Sequence, residues 1–279
     1  MLYVLYAVCV FFSVCSSEAK VKLPANVVVP AVFAFGDSIV DQGNNNNIGT
    51  PIKCNFPPYG KDLMDGTPTG RFSNAKTPPD LLAEELGIKG LVPAYLDPNL
   101  RDEDLKTGVS FASGGCGYDP LTASSMELFK LGARRIGLMG IPPIGCLPMQ
   151  RTLLGGIIAR GCVEEHNEAA QLANTKMAVA IDLLSKTLPK SKLVFIDIYD
   201  LVTDFIVNHK KYGFEEVKKG CCGSGNIEVG MLCNKYSATC EDDTKYLFWD
   251  SFHPTEKGYR VLVDQIIKNN MNKIFKTTV

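Results

Sequence analysis

The chain contains no G-x-Ser-x-G pentapeptide, so the sharp strand-turn-helix elbow of the α/β-hydrolase fold cannot present its serine. It has no Asn-x-Ser/Thr acceptor, so N-linked glycosylation is not expected. No basic stripe offsets its formal net charge of -1, which leaves a nucleic-acid partner without an electrostatic footprint. It also has only three histidines, so an imidazole base must be His166, His209 or His253. No Asn-Asp dipeptide occurs anywhere in the 279 residues.

What is present starts with an apolar run from Leu2 to Cys15, followed by small residues at Ser17 and Ala19. The run is too short to span a bilayer comfortably and reads as a secretory signal over 1–19, leaving one domain over 20–279. This predicts a secreted, extracellular chain with no stable membrane anchor after signal removal. At 46% hydrophobic residues, that domain can bury one sizeable core.

Cysteine is abundant, at ten residues, of which Cys9 and Cys15 leave with the signal. An even number in a secreted chain favours disulfides, and Cys221, Cys222, Cys233 and Cys240 are close enough in sequence to staple one surface loop. Proximity also suggests Cys146 with Cys162. A zinc site is disfavoured, because it needs reduced thiolates and the adjacent Cys221-Cys222 pair lacks the usual gap between ligands. No cofactor is expected.

Short apolar runs predict strands at Val27–Gly36, Thr107–Gly115, Arg134–Gly145 and Lys192–Asp200. Between and after them, helical spacing predicts helices in TPPDLLAEELGIKG, over Glu164–Leu188, and after Pro254, where Tyr259, Leu262, Ile266 and Ile267 share a face. Alternating strands and helices give the α/β class, as a three-layer α/β/α sandwich on a mainly parallel sheet. The Asn-, Gly- and Pro-rich stretch 41–74 reads as a substrate-facing rim.

Two motifs at opposite ends carry the chemistry: FAFGDSIVDQGNNN around Ser38, and WDSFHPTEKGY holding Asp250 and His253. Asp250 lies three residues before His253, so one loop can hold a base and the carboxylate that orients it, with the serine arriving from across the fold. His166 and His209 have no carboxylate at that spacing and read as surface histidines. The competing reading of the Asp250-His253 loop is a structural helix N-cap.

Six blocks in order, FGDSIVDQGNNN, GRFSNAKTPPDLLAEELG, GVSFASGGCGYDP, LGARRIGLMGIPPIGCLP, GCCGSG and FWDSFHPTEKGY, resemble the plant GDSL esterase/lipases, a branch of the SGNH hydrolases. The resemblance implies a serine ester hydrolase acting on lipid or acyl-ester substrates, with Ser38 as nucleophile, His253 as base and Asp250 as its orienting carboxylate. It further implies an oxyanion hole of three donors: the Ser38 amide, the Gly114 amide of FASGG, and an Asn side chain from a G-x-N-D block. That block is absent here, because GYDPLTA runs almost directly into SSMELFKLGARRIG. The expectation is therefore an internally shortened member with one core strand missing. The alternative is a catalytically weak or inactive lipid-binding extracellular protein.

Overall fold

The computed structural model describes residues 21–25, 27–117, 132–156, 158–188 and 190–275; the expected signal at 1–19 and the shortened connection at 122–127 lie outside the described residues. The regular elements in chain order are α1 (Pro78–Glu85), α2 (Asp102–Thr107), β1 (Arg135–Met139), α3 (Pro148–Leu153), α4 (Glu164–Thr187), β2 (Lys192–Ile196), α5 (Tyr199–Val207), β3 (Glu216–Gly220), β4 (Tyr246–Phe248) and α6 (Glu256–Phe275).

β1 and β2 pair in parallel from Arg135 opposite Lys192 to Met139 opposite Ile196. The connection between them is helical, as parallel pairing requires. α4 carries Glu164 and Glu165 in its first turn and Lys186 in its last, signs that suit the helix dipole. It buries Ile181 with Leu188 and Leu193. β3 and β4 form a second parallel pair. Val194, Ile196, Phe205, Phe214, Val217, Leu247, Phe248 and Leu262 join β2, β3, β4, α5 and α6 in one core. The class is therefore α/β with parallel pairing.

The first two expected strands are only partly regular. Residues 32–36 lie parallel to 107–113 through Val32 N–H to Thr107 O, Ala34 N–H to Val109 O, Phe111 N–H to Ala34 O and Ser113 N–H to Gly36 O. Yet only the single bridge Ala34–Ser110 marks the pairing. Pro30 removes a ladder donor from the run. Phe33, Phe35 and Phe111 are 50%, 51% and 39% exposed, so no element covers their face among the described residues. Their rings stack on one another, with Phe35 and Phe111 centroids 5.1 Å apart.

The disulfides are Cys146–Cys162, Cys221–Cys240 and Cys222–Cys233. Cys54 and Cys116 are free thiols, one buried and one exposed. The two bridges in the 221–240 segment thus staple the irregular link between β3 and β4, a crossover with no α-helix of its own.

Candidate active site

The loop after β4 builds half of the site. Trp249 N–H donates to His253 O at 2.7 Å and closes the turn. Inside it, Oδ1 of Asp250 accepts the backbone N–H groups of Phe252 (2.8 Å) and His253 (2.7 Å). This side-chain turn folds His253 back onto the carboxylate, so its Nδ1 lies 2.8 Å from Asp250 Oδ2. Thr255 then caps α6, its hydroxyl accepting Gly258 N–H at 3.0 Å. The N-cap reading and the catalytic reading therefore fall on different residues of one loop.

Ser38 follows the 32–36 segment, and its Oγ lies 2.8 Å from His253 Nε2. Asp250 is fully buried and His253 nearly so. With Nδ1–H donated to the carboxylate, Nε2 is left as the acceptor for the serine hydroxyl. The structure thus brings Ser38, His253 and Asp250 into a continuous relay. His166, on α4, and His209, after α5, stay outside it; His209 Nδ1 instead sits 2.8 Å from Phe214 O.

Neighbouring segments clamp this loop. Ser73 Oγ donates to Pro254 O at 3.1 Å and Asn74 Oδ1 accepts Glu256 N–H at 2.8 Å. Arg71, two residues earlier, is held by Asp80 of α1 through Nε to Oδ2 (2.8 Å) and Nη2 to Oδ1 (2.9 Å), both side chains buried. On the other side Ser251 N–H donates to Glu228 O at 2.8 Å, and Cys222 N–H to Trp249 O at 2.8 Å. The Phe72 ring lies 5.0 Å from the His253 imidazole. One contact had no sequence signal: the buried Tyr59 hydroxyl donates to Asp250 Oδ2 at 2.7 Å.

Asp41 and the Asn run change two expectations. Fully buried, Asp41 accepts N–H from Gly43 (2.8 Å), Asn44 (2.7 Å) and Gly114 (2.9 Å). Burial raises its carboxyl above the usual range although these amides oppose the rise. Gly114 N–H is therefore engaged by Asp41 rather than held for an oxyanion. A buried carboxylate demands donors, and this amide is one of them. The next amide, of Gly115 at φ 87, sits at the exposed end of the same turn and makes no hydrogen bond among the described residues.

Within the stretch 41–74 expected as a substrate-facing rim, the Asn run is engaged with backbone carbonyls. Asn44 Nδ2 donates to Ser110 O and Ala112 O, Asn45 Nδ2 to Ile52 O and Gly114 O, Asn46 Nδ2 to Thr69 O, and Asn47 Nδ2 to Leu96 O. These side chains satisfy backbone carbonyls of four other segments. Such irregular backbone can be buried only if its carbonyls find donors.

The profile of the "GDSL-like Lipase/Acylhydrolase" family matches residues 32–123 and 119–266. "GDSL esterase/lipase EXL3" of Arabidopsis thaliana is 44% identical over 331 residues, covering 91% of this chain and 91% of the relative. "GDSL esterase/lipase At5g42170" of the same plant is 40% identical over 341 residues, 93% of this chain and 92% of its own. An alignment of 331 positions exceeds the 279 residues here, so EXL3 has at least 52 residues (331 less 279) without a counterpart in this chain. The two matched stretches of the profile meet at 119–123, DPLTA, where the G-x-N-D block is expected. With the profile matched over most of the chain and relatives 40–44% identical over more than nine-tenths of it, the chain belongs to the GDSL-like lipase/acylhydrolase family.

Proposed function

We propose that this hydrolase of ester bonds is a secreted enzyme that cleaves carboxylic esters of lipids or acylated small molecules through an acyl-enzyme on Ser38. The relay from Ser38 Oγ through His253 to Asp250, with 2.8 Å at both steps, carries the reading. Ser38 Oγ attacks the ester carbonyl as its proton passes to His253 Nε2. Asp250 stabilises the imidazolium that forms. His253 then returns the proton to the departing alcohol, and water, activated by the same imidazole, cleaves the acyl-enzyme. The developing oxyanion is met by the amide of Ser38, and of the two glycine amides in FASGG that of Gly115 is the one left without a partner among the described residues. Secretion is supported by the three disulfides, which persist in oxidising compartments, and by the apolar leader over 1–19.

One observation favours a second reading, a lipid-binding protein with weak catalysis. The chain has no Asn-Asp dipeptide to carry the expected donor, and the Phe33-Phe35-Phe111 face is open. Kinetics on a short-chain chromogenic ester separate the two. Asp250→Asn should lower kcat by about 10³- to 10⁴-fold, because the amide cannot stabilise the imidazolium and favours the wrong tautomer. A wild-type rate no faster than the uncatalysed one would point to the binding protein, whereas a loss below tenfold would mean that another acid orients the base.

A further inference from the structure

We propose that Tyr59 is a positioning residue for the reaction assigned to Ser38, fixing Oδ2 of Asp250 and so setting both the aim and the basicity of His253; the inference rests on that catalytic reading. The phenol sits in a closed box. Its ring is fully buried and meets Phe56, Phe72 and Trp249 edge-on, at centroid distances of 5.9, 6.3 and 6.4 Å.

A phenol has one proton to give, and its direction is fixed here by what the oxygen accepts. Gly230 N–H donates to the Tyr59 hydroxyl at 2.8 Å, which leaves the O–H to point at Asp250 Oδ2, 2.7 Å away. Gly230 belongs to the loop closed by Cys222–Cys233, whose first cysteine also holds Trp249 O through its amide. The carboxylate is thus gripped on both oxygens. Oδ1 takes the amides of Phe252 and His253, with the imidazole Nδ1 also 3.0 Å away, while Oδ2 takes only Tyr59 and the imidazole at 2.8 Å. Without Tyr59, Oδ2 would be a buried carboxylate oxygen held by the imidazole alone.

Burial and the neighbouring charge of Asp250 push the Tyr59 phenol well above its ordinary range, so it stays a protonated donor. The other titratable groups facing the pair are Cys54 and Tyr259, both pushed up by burial, with Asp37 and Asp41 on the serine side, Arg71 behind Cys54, and Lys61 above the Trp249 ring. Among the described residues none of these hydrogen-bonds Asp250. Tyr59 is therefore the side chain through which the carboxylate's charge is tempered.

The sign follows. A donor on Oδ2 draws negative charge away from the imidazolium, so its removal should make His253 more basic and move the acid limb of the rate profile upward. In Tyr59→Phe, kcat should fall about tenfold with KM within twofold, and the acid limb of kcat/KM should rise by about half a pH unit. Placing 3-fluorotyrosine at position 59 keeps the ring and strengthens the donor, so it should move the limb in the opposite direction. The low-field Nδ1–H resonance of His253, followed against pH, reads the same displacement without turnover. Acid limbs and resonance midpoints unmoved in both variants, with only thermal stability altered, would reduce Tyr59 to a packing residue and overturn the proposal. A Ser38→Ala control as active as wild type would instead remove the catalytic reading, and the proposal with it.

Discussion

Ser38→Ala should reduce ester hydrolysis by about 10⁵- to 10⁶-fold in kcat, with the fold and substrate binding intact. The size of the effect comes from the relay acting as a unit. Without Oγ there is no nucleophile for His253 to activate, and the Asp250-His253 pair becomes a buried hydrogen bond with no reaction to serve. Ser38 is only half-buried and contributes no core packing, so the loss should appear in turnover and not in thermal unfolding. Steady-state kinetics on a chromogenic butyrate ester, alongside circular dichroism melts, check both halves. A residual rate within a hundredfold of wild type would mean that some other group attacks the ester.

Inserting at residues 119–123 a segment that carries the expected G-x-N-D block should raise kcat by about a hundredfold or more and raise thermal stability with it. The rate effect follows from oxyanion stabilisation: one side-chain donor is typically worth about 10²- to 10³-fold. The hole proposed above holds backbone amides alone. The Asn44–Asn47 amides cannot substitute, since each is committed to a backbone carbonyl. The stability effect follows from the exposed Phe33, Phe35 and Phe111 face. Burying a large aromatic side chain contributes roughly 1.5 to 3 kcal/mol. A single Asn placed in the 122–127 connection should restore neither property, because a donor must be held rigidly at hydrogen-bond distance. If the extended and short chains have equal kcat, the oxyanion argument fails. If they melt together, the open aromatic face is not a liability.

The relay was legible because half of it is local. Asp250 and His253 are three residues apart, the spacing at which an aspartate side chain can cap the turn that carries its own partner. The helices α1, α4 and α6 and strands β1 and β2 were legible from apolar spacing. β3 and β4 were not. Glu216–Gly220 is mostly polar and Tyr246–Phe248 is three residues long, so their pairing is set by tertiary packing rather than by pattern. Tyr59 gave no signal, since its bond to Asp250 spans 191 positions and nothing distinguishes it from nine other tyrosines. The choice between Gly114 and Gly115 depends on which way an amide points, which is decided by a third residue, Asp41, far away in sequence. The role of the Asn run was hidden for a related reason. Polar loop composition looks the same whether the side chains face a substrate or satisfy buried carbonyls.

The central claim, that His253 and Asp250 activate Ser38 for attack on an acyl carbonyl, is tested most directly by covalent labelling with a fluorophosphonate, followed by peptide mass mapping. The account predicts a stoichiometric adduct on Ser38 in the native chain, lost on unfolding and in His253→Ala. Labelling that spares Ser38, or that persists on it at an equal rate in His253→Ala, would contradict it.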